Sequence, residues 1–176
     1  YVVTLSTNAL YRNDESAFVE TGLAANSANG YDGAWSDFDN DGDLDLYVAN
    51  GAAANVLYRN DGDVFVDVAP SAGVDDSAGG QGVSWGDYDG DGDLDLYVVT
   101  RTTKALYRND ESAFVETGLS ANSANGYDGA WSDFDNEGDL EVDVAKGAAE
   151  TVMSRNAGGE FVGVVPMRVV AGLAGG

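Results

Sequence analysis

Three nine-residue stretches hold the residues whose types and spacing can do chemistry. DFDNDGDLD runs from Asp37 to Asp45, DYDGDGDLD from Asp87 to Asp95, and DFDNEGDLE from Asp133 to Glu141. Each has a carboxylate at every odd position and glycine at position 6. Such charges repel: at an effective dielectric near 20, a pair about 4 Å apart costs on the order of 4 kcal/mol. The chain already carries a formal charge of −23, so a cation must offset the cluster. Glycine permits a bend with positive φ. The odd-numbered side chains then converge on one point, and the backbone carbonyl of position 7 can join them. A cage made only of oxygen favours a hard cation. Calcium accepts six to eight oxygens in flexible geometry, whereas magnesium wants an octahedron and keeps its waters. Ca2+ is therefore the expected ion.

The candidate ligands are Asp37, Asp39, Asp41, Asp43 and Asp45 in the first loop, and Asp87, Asp89, Asp91, Asp93 and Asp95 in the second. The third offers Asp133, Asp135, Glu137, Asp139 and Glu141. Glu137 and Glu141 are each a methylene longer than their counterparts, so two strong sites and one weaker site are expected. These are not EF-hand loops. That loop needs glutamate at position 12, where this chain has Val48, Val98 and Val144. A single acidic turn would read as a solvated connection. Three copies at one place in a repeat argue for a site.

The composition narrows the remaining chemistry. The 176 residues include no cysteine and no histidine, which excludes disulfides, thiolate catalysis and the commonest general base. Lys104 and Lys146 are the two lysines, and the carboxylates in the loops are assigned to metal, so no catalytic set is expected. Acidic residues outnumber basic ones 31 to 8, which makes nucleic acid and anionic membrane poor partners. No apolar run approaches the roughly 20 residues that span a bilayer. The chain begins at Tyr1 rather than Met, and a mature or excised piece is expected from this.

The elements that must position these loops repeat with them. The loops recur at spacings of 50 and 46 residues. Between them stand ALYRND at Ala9, VLYRND at Val56, ALYRND at Ala105 and VMSRNA at Val152, each followed by AFVE, VFVD, AFVE or EFVG. Residues 1–80 align without a gap on 97–176 with about 70% identity, the mark of a duplication. LDLYVAN alternates Leu and Val on one face with Asp, Tyr and Ala on the other, a strand period. GVSWGD, VLYRN and VFVDV are short, aromatic or β-branched, and bounded by Gly, Asn and Asp. No stretch has a helical period. Four short strands per unit of about 48 residues is the arithmetic of a β-propeller blade. The fold class is therefore all-β, with about 3.7 blades of four antiparallel strands and the calcium loops between first and second strands. One repeat domain spans 1–176. It comprises a partial blade at 1–21, blades at about 33–69, 82–116 and 128–165, and a tail at 166–176 that can supply a closing strand.

DFDNDGDLDLYVANGA and DYDGDGDLDLYVVT resemble FG-GAP/VCBS repeats, the calcium-binding blades of the integrin α-subunit propeller and of many secreted bacterial proteins. The LYRNDG element resembles the bacterial and cartilage-acidic-protein branch. The resemblance implies calcium in the hairpin between the first two strands of a blade. Positions 1, 3, 5 and 9 would supply side chains, and Asp43, Asp93 and Asp139 a backbone carbonyl. The GAP element departs from the pattern: it is NGA or KGA after loops one and three and is missing after loop two.

Trp35, Trp85 and Trp131 precede the loops by two residues in every unit, and Arg12, Arg59, Arg108 and Arg155 recur in the same way. What every unit shares builds the unit, so packing and carboxylate tethering are expected of them. Asp143 and Ser154 replace Tyr47 and Tyr58 in the last unit, suggesting a less buried terminal face. The expected function is a non-catalytic, extracellular or cell-surface calcium-binding module for adhesion, matrix or self-assembly. Its partners would be other copies of itself or the rest of a longer propeller. The alternative is a carbohydrate-binding propeller or the accessory propeller of a polysaccharide-active enzyme.

Overall fold

Short β-branched and aromatic runs broken by Gly, Asn and Asp make short strands joined by tight turns. The computed structural model describes residues 9–21, 30–62, 64–77, 79–118, 126–146 and 152–166. The expected closing strand at 167–176, the start of the partial blade at 1–8 and the Asn/Ser loops at 22–29 and 119–125 lie outside the described residues.

A hairpin comes first, β1 (Tyr11–Asp14) and β2 (Ala17–Glu20). Sheet one follows: β3 (Gly30–Ser36), β4 (Asp45–Asn50), β5 (Val56–Asn60) and β6 (Phe65–Asp67). Sheet two is β7 (Gly80–Gly86), β8 (Asp95–Thr100), β9 (Lys104–Asp110) and β10 (Ala113–Glu116). Sheet three is β11 (Gly126–Ser132), β12 (Glu141–Lys146), β13 (Val152–Asn156) and β14 (Phe161–Pro166). Each is an antiparallel meander in chain order, and the registers repeat: Trp35 faces Leu46, Trp85 faces Leu96, and Trp131 faces Val142. The fold is all-β, and its four-stranded sheets have the form of propeller blades. The one helix among the described residues is a single turn, α1 (Ala69–Ala72). Pro70 stands in its first turn and Gly73 ends it in the left-handed region at φ 74°. A turn this short leaves no periodic signal.

The first strands β3, β7 and β11 lie side by side in succession, so the sheets stack face to face. Sheet two is covered on both faces, so β8 is buried along its whole length although its sequence alternates, and β4 is buried likewise, with one face against sheet two. Tyr47, Ala49 and Leu57 of sheet one meet Leu96, Val98 and Tyr107 of sheet two. On the far side of sheet two, Tyr97, Val99 and Leu106 meet Val142 and Val144 of sheet three. The expectation of a polar terminal face holds for one of its two residues. Asp143 shares the outward face with the positions of Tyr47 and Tyr97. Ser154 takes the place of Tyr107, which faces back toward the preceding sheet, and is 2% exposed. The sequence comparison could not see this, because the two residues sit on opposite faces of adjacent strands.

Candidate metal centres

Each acidic loop joins the first and second strands of a sheet: β3 to β4, β7 to β8, β11 to β12. The bend is where glycine was expected. Gly42, Gly92 and Gly138 have φ of 95°, 99° and 98°. No atom would lie within 4 Å of an added Cβ at any of the three, so the backbone conformation, not space, requires glycine. A second left-handed residue stands two positions earlier, at Asn40, Gly90 and Asn136. Asn and Gly tolerate that region, and the sequence reading missed the pattern.

The position-1 aspartate builds the loop around itself. Asp41 N–H donates to Asp37 Oδ1 at 3.0 Å, and Gly42 N–H to Oδ2 at 3.1 Å. Asp87 accepts likewise from Gly90, Asp91 and Gly92, at 2.8–3.1 Å. Asp41 and Asp91 each accept from the amide two residues on. In the third loop Asp133 makes no such bond among the described residues.

The structure brings together three carboxylates per loop, with oxygens within 4.8 Å of one another: Asp37, Asp39 and Asp41; Asp87, Asp89 and Asp95; Asp133, Asp135 and Glu141. Asp45, Asp91 and Glu137 are outside these groups, as are Asp43, Asp93 and Asp139. The position-7 side chains turn elsewhere where their bonds are seen. Asp93 accepts from Asn40 Nδ2 (2.8 Å) and Glu111 N–H (3.2 Å), and Asp139 from Gly158 N–H (2.8 Å).

Position 9 ties the loop to the third strand. Asp45 is fully buried and accepts from Phe38 N–H (3.1 Å) and Asn60 N–H (2.8 Å). Asp95 accepts from Tyr88 and Asn109, both at 2.9 Å. Burial pushes Asp45 up to about 6 and Asp95 up to about 7, because a carboxylate removed from water resists ionising. The two amides at each oppose the rise, and the neighbouring loop aspartates add to it. Burial first, and the adjacent carboxylate second, also raises Asp39 and Asp89.

These residues fit a hard cation. The donors are all oxygen, and an adjacent cation would reverse the rise at Asp39, Asp45, Asp89 and Asp95. In loop one Asp39 Oδ1 is buried with no hydrogen-bond partner, and in loop three the same is true of Glu141 Oε1. A buried acceptor in a carboxylate cluster is satisfied by a hydrogen-bond donor, a water or a cation.

Two further residues hold the loops in place. Asn109 Nδ2 donates to the Phe38 carbonyl of the preceding sheet's loop (2.8 Å) and to its own Leu94 (3.1 Å). Asn156 does the same to Tyr88 (2.6 Å) and Leu140 (3.2 Å). They are the asparagines of the repeated YRN and SRN motifs, so the signal was present in the repeat, but not its meaning. The recurring arginines tether carboxylates, as expected: Arg59 chelates Asp61 and Arg108 chelates Asp110. Trp85 and Trp131 stack on Phe38 and Tyr88, with rings 6.3 and 6.4 Å apart.

No curated protein matches this chain. The FG-GAP-like repeat family matches it twice, at residues 37–98 and 87–143, each match running from one acidic loop into the next unit. Together they span more than half of the chain, and the chain belongs to the FG-GAP-like repeat family.

Proposed function

We propose that this chain is a non-catalytic, calcium-stabilised propeller module of the cell exterior, with an adhesive or assembly role. The observation that carries the calcium reading is Asp39 Oδ1, buried without a partner inside the Asp37–Asp39–Asp41 group. A bound divalent cation supplies positive charge to that group. The chain's own residues do the rest: Asp37 and Asp87 hold the loop closed, and Asp45 and Asp95 fasten it to the third strand. A cation that binds only the folded chain stabilises it by about 2.7 kcal/mol per site at a hundredfold excess over Kd. The absence of His and Cys, with the acidic residues committed to the loops, supports a non-catalytic role. No helix among the described residues is long and apolar enough to cross a membrane.

Calorimetry with calcium and with magnesium, and melting curves in calcium and in chelator, test this reading. Calcium heat at two strong sites and a large drop in Tm in chelator are expected, with Asp39→Asn plus Asp89→Asn reproducing much of the drop. No calcium heat and an unchanged melting curve would reduce the loops to solvated turns.

The assembly role has support at Phe134. Its counterparts Phe38 and Tyr88 are buried on the next sheet, whereas Phe134 is 62% exposed. In this reading a further blade covers it, from another copy or from the rest of a longer propeller. Light scattering in calcium, with Phe134→Asp as control, tests for self-association. A glycan-binding reading has one observation on its side. Trp35 lines a cleft of about 740 Å³ with Tyr11, Arg12, Glu20 and Asn60. Glycan-array binding lost in Trp35→Ala would favour it.

A further inference from the structure

The three arginines of the third strands are in equivalent positions and do not do the same thing. On a strand, residues i and i+2 share a face. Arg59 and Arg108 use this to chelate Asp61 and Asp110, with contacts of 2.7 and 3.1 Å in one case and 2.9 and 2.8 Å in the other. These hydrogen bonds of their guanidinium groups go to the strand neighbour rather than to a loop carboxylate. In sheet three the residue two beyond the arginine is Ala157, whose side chain offers no acceptor. Arg155 instead reaches back into the loop. Its Nε donates to Asp135 Oδ2 at 3.0 Å and its Nη2 to Glu137 Oε2 at 2.9 Å. Glu137 is the residue that replaces Asp41 and Asp91, and its extra methylene lets it extend outward, where its side chain is 62% exposed.

We propose that the third loop carries a built-in cation: the Arg155 guanidinium neutralises it in place of the metal held by the first two, and Ala157 is the residue that makes the difference. This rests on the calcium reading of loops one and two. Asp135 is one of the three carboxylates that converge in loop three, and a guanidinium N–H already engages one of its oxygens. A divalent ion entering there must displace a guanidinium that donates one charge-assisted hydrogen bond to each of two loop carboxylates and overcome repulsion from its charge. In the first two loops no guanidinium N–H has to be displaced: Arg59 and Arg108 stand near Asp39 and Asp89 and act on them only through their charge, while Asp61 and Asp110 take their hydrogen bonds. Sheet three would thus keep its loop closed when calcium is scarce, while sheets one and two would not.

The test compares wild type with Ala157→Asp, which returns a same-strand partner to Arg155, and with Arg155→Ala, which removes the charge. Both changes are at exposed positions. Calcium calorimetry should count two strong sites in wild type and three in each variant, with affinity at loop three rising on the order of tenfold. Three equal sites in wild type, or two in both variants, would overturn the proposal. A metal-free measurement separates this from failure of the calcium reading. In chelator, a double-mutant cycle of Arg155→Ala and Asp135→Asn should show coupling of about two- to fivefold in the folding equilibrium. Wild type that binds no calcium yet shows this coupling would remove the metal from loops one and two and leave Arg155 as the cation of loop three. Absence of coupling would overturn the proposal whatever the calcium count.

Discussion

The junction between sheets one and two and the junction between sheets two and three share an aromatic clamp and differ in their polar ties. At both, a loop aromatic stacks on the tryptophan of the next sheet and touches its fourth-strand phenylalanine: Phe38 on Trp85 and Phe114, Tyr88 on Trp131 and Phe161. At both, a buried asparagine reaches back to the carbonyl of that aromatic. Along the first strands the junctions diverge. Asp32 accepts from Val83 N–H at 3.0 Å, and the Trp85 indole N–H donates to the Ala34 carbonyl at 3.3 Å. At the second junction Gly82 stands in Asp32's place. The Trp131 indole nitrogen and Ser84 Oγ are buried without partners. Gly82 exchanges the hydrogen bond for close approach: a Cβ there would stand 2.7 Å from the Tyr127 carbonyl oxygen. The clamp sets how sheets stack, and the first-strand ties are what each junction can vary.

The largest expected effect breaks the clamp. Phe38→Ala should cost about 3–5 kcal/mol, as large aromatic truncations in cores do, while Phe134→Ala should stay within about 0.5 kcal/mol because no sheet among the described residues covers it. Denaturant unfolding in calcium measures both, and equal losses would mean that Phe134 is packed in solution. Next comes the asparagine bridge. Asn109→Ala and Asn156→Ala should each cost about 1–3 kcal/mol, since each leaves buried carbonyls unpaired. Similar values would confirm that the bridge is common to both junctions, and a loss confined to one would break the comparison. Asp32→Ala should cost about 1–2 kcal/mol by orphaning the Val83 amide. Hydrogen exchange at that amide should accelerate, with no matching change at sheet three. Smallest is Ser84→Ala. It removes a buried hydroxyl that has no partner, so stability should hold or rise by up to about 1 kcal/mol. A loss there would show that an ordered water serves the second junction.

Much of this molecule was legible in its sequence, for local reasons. A glycine at position 6 of an acidic loop answers to its own φ, and strands announce themselves by β-branched and aromatic runs between turn residues. The loops' place between first and second strands followed from chain order. What was not legible involves partners far apart along the chain. Asn109 meets Phe38 71 residues away, and nothing near Asn109 says that its amide bridges two sheets. The face of Ser154 depends on which sheet its strand turns toward. The alternation in LDLYVVT gives a strand but not its neighbours, and it is sheets one and three that cover its two faces.

The sequence alone determined that carboxylates gather three times around a glycine bend, because loop geometry needs only neighbours in the chain. It also determined that four strands accompany each loop, and that the chain is an FG-GAP-like repeat. The tertiary structure alone decided which carboxylates meet, which oxygens are left without a partner, and which arginine reaches into a loop. Arg59, Arg108 and Arg155 are the same residue in the same motif. Their different contacts arise because a side chain takes the nearest well-oriented carboxylate in space, and for Arg155 that carboxylate lies 20 and 18 residues back in the chain.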